Sequence, residues 1–314
     1  MQTRPIKTLL KSKPTLEGAG VHLKRAFGYY EVPQFDPFLL MDDFRNDEPN
    51  KYLRGFPWHP HRGIETITYM LEGFAEHGDS MGNKGTIGPG DIQWMTAGSG
   101  IIHQEMPKPG PDGKMYGFQL WANLPASNKM MHPRYQDVKA ADIPELILEN
   151  GVKIRVICGE INGIKGPVRD IIIDPEYLDI TVPPDAGYVH PTKKGYTVFA
   201  YVIGGDGETG RHGDGETGRH GDGETGRYGD GETGRYGDGE TWGKGENFVE
   251  NEMLVLFEDG DQVSFKTGGE PMRFLLISGK PLSEPIAWGG PIVMNTTEEL
   301  DLAFEEYRRG TFIR

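Results

Sequence analysis

Hydrophobic positions along this chain come in short runs rich in Val, Ile, Leu, Thr, Tyr and Phe, cut by Gly, Pro, Asp or Asn, as in ETITYMLEG, GDIQWM, KIRVICG, YTVFAYVIGG, MLVLFEDGDQVSF and MRFLLISG. Branched and aromatic residues fit a pleated, half-buried surface, and turn formers between them close hairpins, so the pattern predicts an all-β protein. Evenly spaced short strands of this kind build sandwiches or jelly-roll barrels, whose small interiors hold a ligand or a metal. The 314 residues suffice for two such units, which we place at residues 1-135 and 136-314. The first β run extends to about Leu124, a polar, helix-compatible bridge follows through QDVKAADIPELILENG, and the second β run begins near Val152. Helical periodicity is clear only near the C-terminus. In NTTEELDLAFEEYRRG, Thr296 stands three residues before Glu299, the capping-box spacing, while Leu300, Phe304 and Tyr307 fall on one face and Gly310 is the stop. This short C-terminal helix is expected to pack its apolar stripe on a barrel.

One stretch, residues 205–246, follows neither pattern: GDGETGRH or GDGETGRY recurs there until Trp242 interrupts it. Calcium-binding Gly-Asp repeats have nine residues and an aliphatic side chain in each to build a core, and no unit here contains one. The expected structure is a Gly-rich loop that cannot bury enough surface to fold, lengthening a strand connection in the second barrel at small cost in closure entropy.

From Asp206 to Glu240 the repeat holds ten acidic residues and four arginines, so it supplies −6 of the formal net charge of −14. That balance, with no dense run of Lys and Arg, disfavours direct nucleic-acid binding. Cys158 is the single cysteine, which excludes an intramolecular disulfide and fits a reducing compartment. No apolar stretch approaches the roughly 20 residues of a membrane span, and MQTRPIKTLLKSKPTLEG lacks a signal-peptide core. A cytoplasmic monomer with no membrane contact is therefore expected.

Candidate chemistry concentrates in two places. In GFPWHPHRGIETITYMLEG, His59 and His61 are two apart at the entry to a β run, and residues i and i+2 of a strand share a face. In GPGDIQWMTAGSGIIHQEMP, His103 and Glu105 repeat that spacing. Two such pairs on neighbouring strands bring three imidazoles and a carboxylate to one point. That donor set suits a divalent first-row ion such as Fe(II), Mn, Ni, Cu or Zn, and on an octahedral ion it leaves two positions for substrate or dioxygen.

The blocks FDPFLLMDDF, HPHRGIETITYMLEG, PGDIQWMTAGSGIIHQEMP, GFQLWANLP and GPIVMNT resemble the pirin family, in the family's order, and weaker similarity covers the rest of the chain outside the repeat. The resemblance implies two stacked cupin barrels, the N-terminal one holding Fe(2+) through His59, His61, His103 and Glu105, the C-terminal one metal-free. The general cupin pattern also places a Glu four residues after the second His, where this chain has Glu65. Strand parity leaves Glu65 open as a ligand; the resemblance favours Glu105, with Glu65 a supporting or structural carboxylate. It further implies quercetin 2,3-dioxygenase activity, the oxygen-dependent opening of a flavonol's central ring with loss of carbon monoxide, in which Glu105 acts as catalytic base. The partners would be a flavonol-like small molecule and dioxygen. The alternative it implies is an iron-dependent redox-sensing regulator that binds protein partners such as transcription factors. Of the remaining histidines, His77 reads as a solvated turn residue ahead of the alternative, a place in a hairpin near the site, His190 has no ligand-type partner at i+2, His212 and His220 belong to the repeat, and His22 and His132 lie in no constellation. Trp58, Trp94 and Met95 flank the ligand strands and read as packed core or cavity rim.

Overall fold

The structure, a computed structural model, describes residues 1–210 and 247–313. A seven-stranded antiparallel sheet and a four-stranded one form the first barrel, and a ten-stranded sheet forms the second. The strand Ile64–Glu72 lies inside the seven-stranded sheet, between Ile92–Thr96 and Tyr116–Asn123. Its alternation divides two cores. Ile67 and Tyr69 face the second barrel in a cluster with Trp94, Phe118, Ile157, Tyr177, Phe199 and Leu275. Met70 faces the interior of the first barrel with Val21, Leu23 and Phe44. With both faces covered, the strand has no solvent side and is buried from Ile64 to Met70. A separate apolar cluster fills the second barrel, built on residues such as Val156, Leu178, Val202, Phe265 and Phe274.

Buried polar contacts tie the barrels together. The Tyr69 hydroxyl donates to Asp179 Oδ2 at 2.6 Å, and Arg273 grips the same carboxylate through Nε and Nη2 at 2.9 and 2.6 Å. The Tyr201 hydroxyl donates to Asp43 Oδ2 at 2.8 Å from the other side. Such groups tolerate burial because each has its partner.

Both ends of the chain cross over. The first strand, Ile6–Lys11, pairs with Met253–Phe257 in the second barrel's sheet. Near the other end, the hairpin of Ala287–Gly289 with Ile292–Met294 lies on the first barrel, where Ile292 bridges to Arg62 and Val293 joins the cluster of Ile64, Met95 and Ile101. The helix Thr297–Arg309 has the capping box of Thr296 and Glu299, and Gly310 closes it at φ 72°. Leu300 and Phe304 pack against Ile292, Met294 and Phe312, so the expected stripe lies on a barrel.

Two local expectations differ from the structure. The bridge QDVKAADIPELILENG contains no α-helix: Arg134–Val138 pairs with Ile92–Thr96, one short turn spans Ala140–Asp142, and Glu145–Ile147 pairs with Lys153–Cys158. Each barrel offers an unpaired sheet edge at this point, and ladder hydrogen bonds outcompete a marginal helix followed by Pro144. The first copy of the repeat is also not loop, because Thr197–Thr209 runs through it, with Asp206 opposite Glu250 and Glu208 opposite Phe248. Thr209 N donates to Asn247 O at 3.0 Å, joining the two ends of the intervening segment. That segment, including His212 and His220, lies outside the described residues, as do the loop character and the calcium question raised by its sequence. Among the described residues no helix is long and apolar enough to cross a membrane.

Candidate metal centre

His59 and His61 stand on the strand Phe56–His61, and His103 and Glu105 on its antiparallel neighbour Ile101–Lys108. His103 is opposite His59, and Ile101 opposite His61. Directly opposed residues project to one face, so the register alone brings the imidazoles together. Their ligand-type nitrogens all lie within 4.8 Å of one another. Among the described residues this is the one group of three or more His, Cys, Asp or Glu side chains arranged to hold an ion.

The hydrogen bonds around the rings show which nitrogen faces inward. His59 Nδ1 is 2.9 Å from the Pro57 carbonyl, and His61 Nδ1 is 3.1 Å from the Pro291 carbonyl. A carbonyl only accepts, so each Nδ1 carries its proton and leaves the Nε2 lone pair free. These two Nε2 atoms face each other at 3.1 Å, where neither has a proton to share. Both ring nitrogens of His103 are buried without a hydrogen-bond partner. A cation gives a partner to the two facing Nε2 lone pairs and to one nitrogen of His103. Two nitrogens on adjacent octahedral positions, each about 2.1 Å from the ion, stand about 3.0 Å apart, which matches the pair seen here. Burial pushes all three pKa values down, to about 3 for His61 and well below the usual range for His103, with the neighbouring imidazoles adding to the effect at both. The rings are therefore neutral at pH 7, the form that binds metal.

His59 and His61 line a cavity of about 610 Å³ in the first barrel. Glu105 lines that cavity but stands outside the compact group of imidazoles. The pairing shifts between His103 and Glu105, where the facing strand contributes an extra residue and Phe56 becomes the partner. Glu105 remains on the His103 face, opposite His77 on the far side. Burial pushes its carboxyl up to about 7. Thr68 Oγ1 lies 3.3 Å from its Oε1 and 2.8 Å from Gln119 Oε1, and one hydroxyl proton cannot serve both.

Glu65 goes elsewhere. Gly63, at φ +76° and with Val293 O only 2.0 Å from where a Cβ would be, turns the chain between His61 and Ile64, so parity does not carry across. Glu65 consequently shares the Ile67 and Tyr69 side of the sheet, where Thr96 Oγ1 donates to its Oε1 at 2.7 Å. Burial raises the thiol pKa of Cys158 in the second barrel, and the charge of Glu65 adds to that shift.

Two histidines differ from their sequence reading. His77 is not a solvated turn residue: it sits in the strand Phe74–Asp79, is 8% exposed, stacks with Tyr135 at 5.9 Å and meets Gln93 Nε2 at 3.0 Å. GFAEHGDS looks like a turn because its glycines lie close together, but Gly85 across the hairpin leaves the room this ring fills. His190 is 3% exposed and does have an acidic partner, Glu176 Oε2 at 2.7 Å, supplied by another strand instead of position i+2. The Tyr188 hydroxyl holds its Nδ1 at 2.9 Å. Trp94 and Met95 are packed core, and Trp58 is 53% exposed. Trp121, Trp288 and Tyr29, which line the cavity, carried no signal in the sequence because three distant segments supply them.

A family model described as Pirin matches residues 20–122, and one described as Pirin C-terminal cupin domain matches residues 235–313. A pirin-like protein of Caulobacter vibrioides is 40% identical over 313 residues, covering 99% of this chain and 100% of its own. The crystal structure of a quercetin 2,3-dioxygenase from Acinetobacter baumannii superposes with a TM-score of 0.80 at 28% identity, covering 99% of this chain and 98% of the other. A bacterial pirin from Escherichia coli, solved in complex with nickel(II), shares the fold at a TM-score of 0.59 and 20% identity, over 87% of this chain and 99% of the other. The two barrels are thus cupin-type domains.

Proposed function

The chain belongs to the pirin family, and from that premise we propose that it is a dioxygenase of the quercetin 2,3-dioxygenase type, holding one divalent metal, Fe(2+) foremost, on His59, His61, His103 and Glu105. The observation that carries this reading is the pair of Nε2 atoms at 3.1 Å with both Nδ1 atoms committed to carbonyls. When bound, such an ion supplies Lewis acidity and a redox couple to an oxygen-bearing substrate. The rest is the chain's own work. Pro57 and Pro291 fix the ring orientations of His59 and His61, so the donor set is organised before anything binds. Glu105, lining the same cavity as His59 and His61, would take the proton of a flavonol 3-hydroxyl. Leu23, Leu40, Phe56 and Trp121 give the cavity apolar walls that displace water from the reacting edge.

A redox-sensing regulator would need a partner surface that responds to the ion, whereas the imidazole cluster opens into a cavity of small-molecule size. Oxygen uptake with quercetin tests the enzyme reading. Consumption of one dioxygen per flavonol by the Fe(II)-loaded protein, lost in His61→Ala, is the expected result. A loaded protein that binds quercetin and consumes no oxygen contradicts it.

A further inference from the structure

We propose that Trp288 and Tyr29, together with Trp121, form an aromatic wall that binds planar aromatic ligands and selects them over puckered ones, so that the C-terminal hairpin determines specificity in the first barrel. The inference rests on the dioxygenase reading for the identity of the ligand class, and deepens it.

The rings are in continuous contact from the imidazole cluster outward. Trp121 meets His61 edge-on at 5.1 Å, Trp288 lies 6.2 Å from Trp121 at 43°, and Tyr29 lies 5.5 Å from Trp288 at 54°. All three line the 610 Å³ cavity. Each separation falls within the range at which aromatic pairs attract, so the wall is organised in the absence of ligand. Trp288 has its polar edge satisfied, because its indole N–H donates to Gly290 O at 2.7 Å, leaving the faces of the ring for apolar contact.

Core packing alone does not account for this arrangement. Tyr29 is 62% exposed and Trp288 half-buried, although both belong to an aromatic group touching the deepest part of the site. Aromatic rings partly exposed beside a concave cavity gain most from burial when a ligand covers them. Of the polar groups lining the cavity, Arg25, Asp42 and Glu17 pair with one another, leaving the imidazoles, Glu105 and Gln119 to meet a ligand. A complementary ligand has oxygens on one edge and a flat aromatic body extending from it. A flat ring stacks on one of these faces and meets the tilted neighbours through its edge; a puckered one cannot lie flat on any of them.

Wild-type protein, Trp288→Ala, Trp288→Phe and Tyr29→Ala are titrated by calorimetry with quercetin and with its 2,3-dihydro analogue, which keeps the hydroxyls and loses the planar central ring. The expected result is that each alanine variant weakens quercetin binding on the order of five- to tenfold, affects the dihydro analogue less, and so compresses the planar-to-puckered ratio, while Trp288→Phe restores most of it. Tyr29→Ala keeps the test valid if loss of Trp288 loosens the hairpin. Quercetin binding unchanged in both alanine variants, equal weakening of both ligands, or no binding to the wild type overturns the proposal. Ring-dependent binding without oxygen uptake supports the wall and removes the dioxygenase reading. Uptake at wild-type KM in Trp288→Ala does the reverse.

Discussion

Replacing Glu105 by Gln isolates the energetic consequence of a carboxylate held in the cavity before metal binds. In the metal-free protein its carboxyl is pushed from 4.5 up to about 7 by burial. An unfolded chain therefore loses this proton near pH 4.5, whereas the folded one keeps it to about 7. Between those values the folded state holds more protons, so the contribution of Glu105 to stability falls as pH rises through the window. At about 1.4 kcal/mol per pKa unit the ceiling is about 3 kcal/mol, and because the side chain is partly open to the cavity, whose water screens it, about 2 kcal/mol is the expected size. His59, His61 and His103 act in the opposite sense at acid pH: their lowered values make the folded state resist protonation, so they add stability as pH rises towards 6.5. Subtracting the Glu105→Gln curve from the wild-type curve cancels that common background to the extent that the sites titrate independently. Guanidinium unfolding of chelated protein at pH 5 and pH 8 provides the curves. The variant should gain about 2 kcal/mol on the wild type between the two pH values, and metal loading should reverse the ranking at pH 8, because the ion then compensates the carboxylate. A difference that does not change between pH 5 and 8 refutes the assignment of a strained, ionisable carboxyl at this position.

Lys129 is buried beside the same site and donates to Gly63 O, Asn123 Oδ1 and Val293 O at 3.0, 2.7 and 3.0 Å. Lys129→Met should cost about 2–4 kcal/mol in thermal unfolding at pH 7, since three acceptors lose their donor. Burial lowers this amine to about 8; the unfolded chain holds the proton up to about 10.5, so wild-type stability should rise relative to the variant between those values, and a parallel pair of curves there refutes it. Arg62 donates to Ser99 O, Glu306 Oε2 and Phe312 O, clasping the C-terminal segment to the first barrel. Arg62→Met should cost about 3–5 kcal/mol and weaken metal binding about 10- to 100-fold, because the Pro291 carbonyl that orients His61 belongs to that segment; unchanged affinity measured against a competing chelator counts against the link. Joining Gly210 to Asn247 through a short turn should leave denaturant stability unchanged or raise it by at most about 2 kcal/mol, since Thr209 and Asn247 already meet, and a clear loss would give the repeat a part in the core.

The parts of the site that were readable from the sequence are those in which periodicity and chemistry coincide. His59, His61, His103 and Glu105 could be grouped because i, i+2 spacing survives folding as a shared face. Glu65 shows where that rule stops, since a single glycine in the left-handed region resets the parity between His61 and Ile64. The C-terminal helix was legible for the same local reason, its cap and stop lying in one short segment. What escaped was non-local. The acidic partner of His190 comes from Glu176 on another strand, the first strand crosses to the second barrel, and Trp288 and Pro291 reach the first barrel from the far end of the chain. For His77 the hairpin alternative holds over the solvated turn, because turn composition describes the ends of a hairpin and says nothing about which side chain points inward.

Metal stoichiometry is the most direct test of the central claim. Wild-type protein, His59→Ala and His103→Ala are each incubated anaerobically with Fe(II), passed through a desalting column and assayed for bound metal per chain, with circular dichroism to show that the variants are folded. One equivalent on the wild type and essentially none on either folded variant is the expected result. Metal retained by both variants, or none retained by the wild type, would contradict the assignment of the three imidazoles as the site.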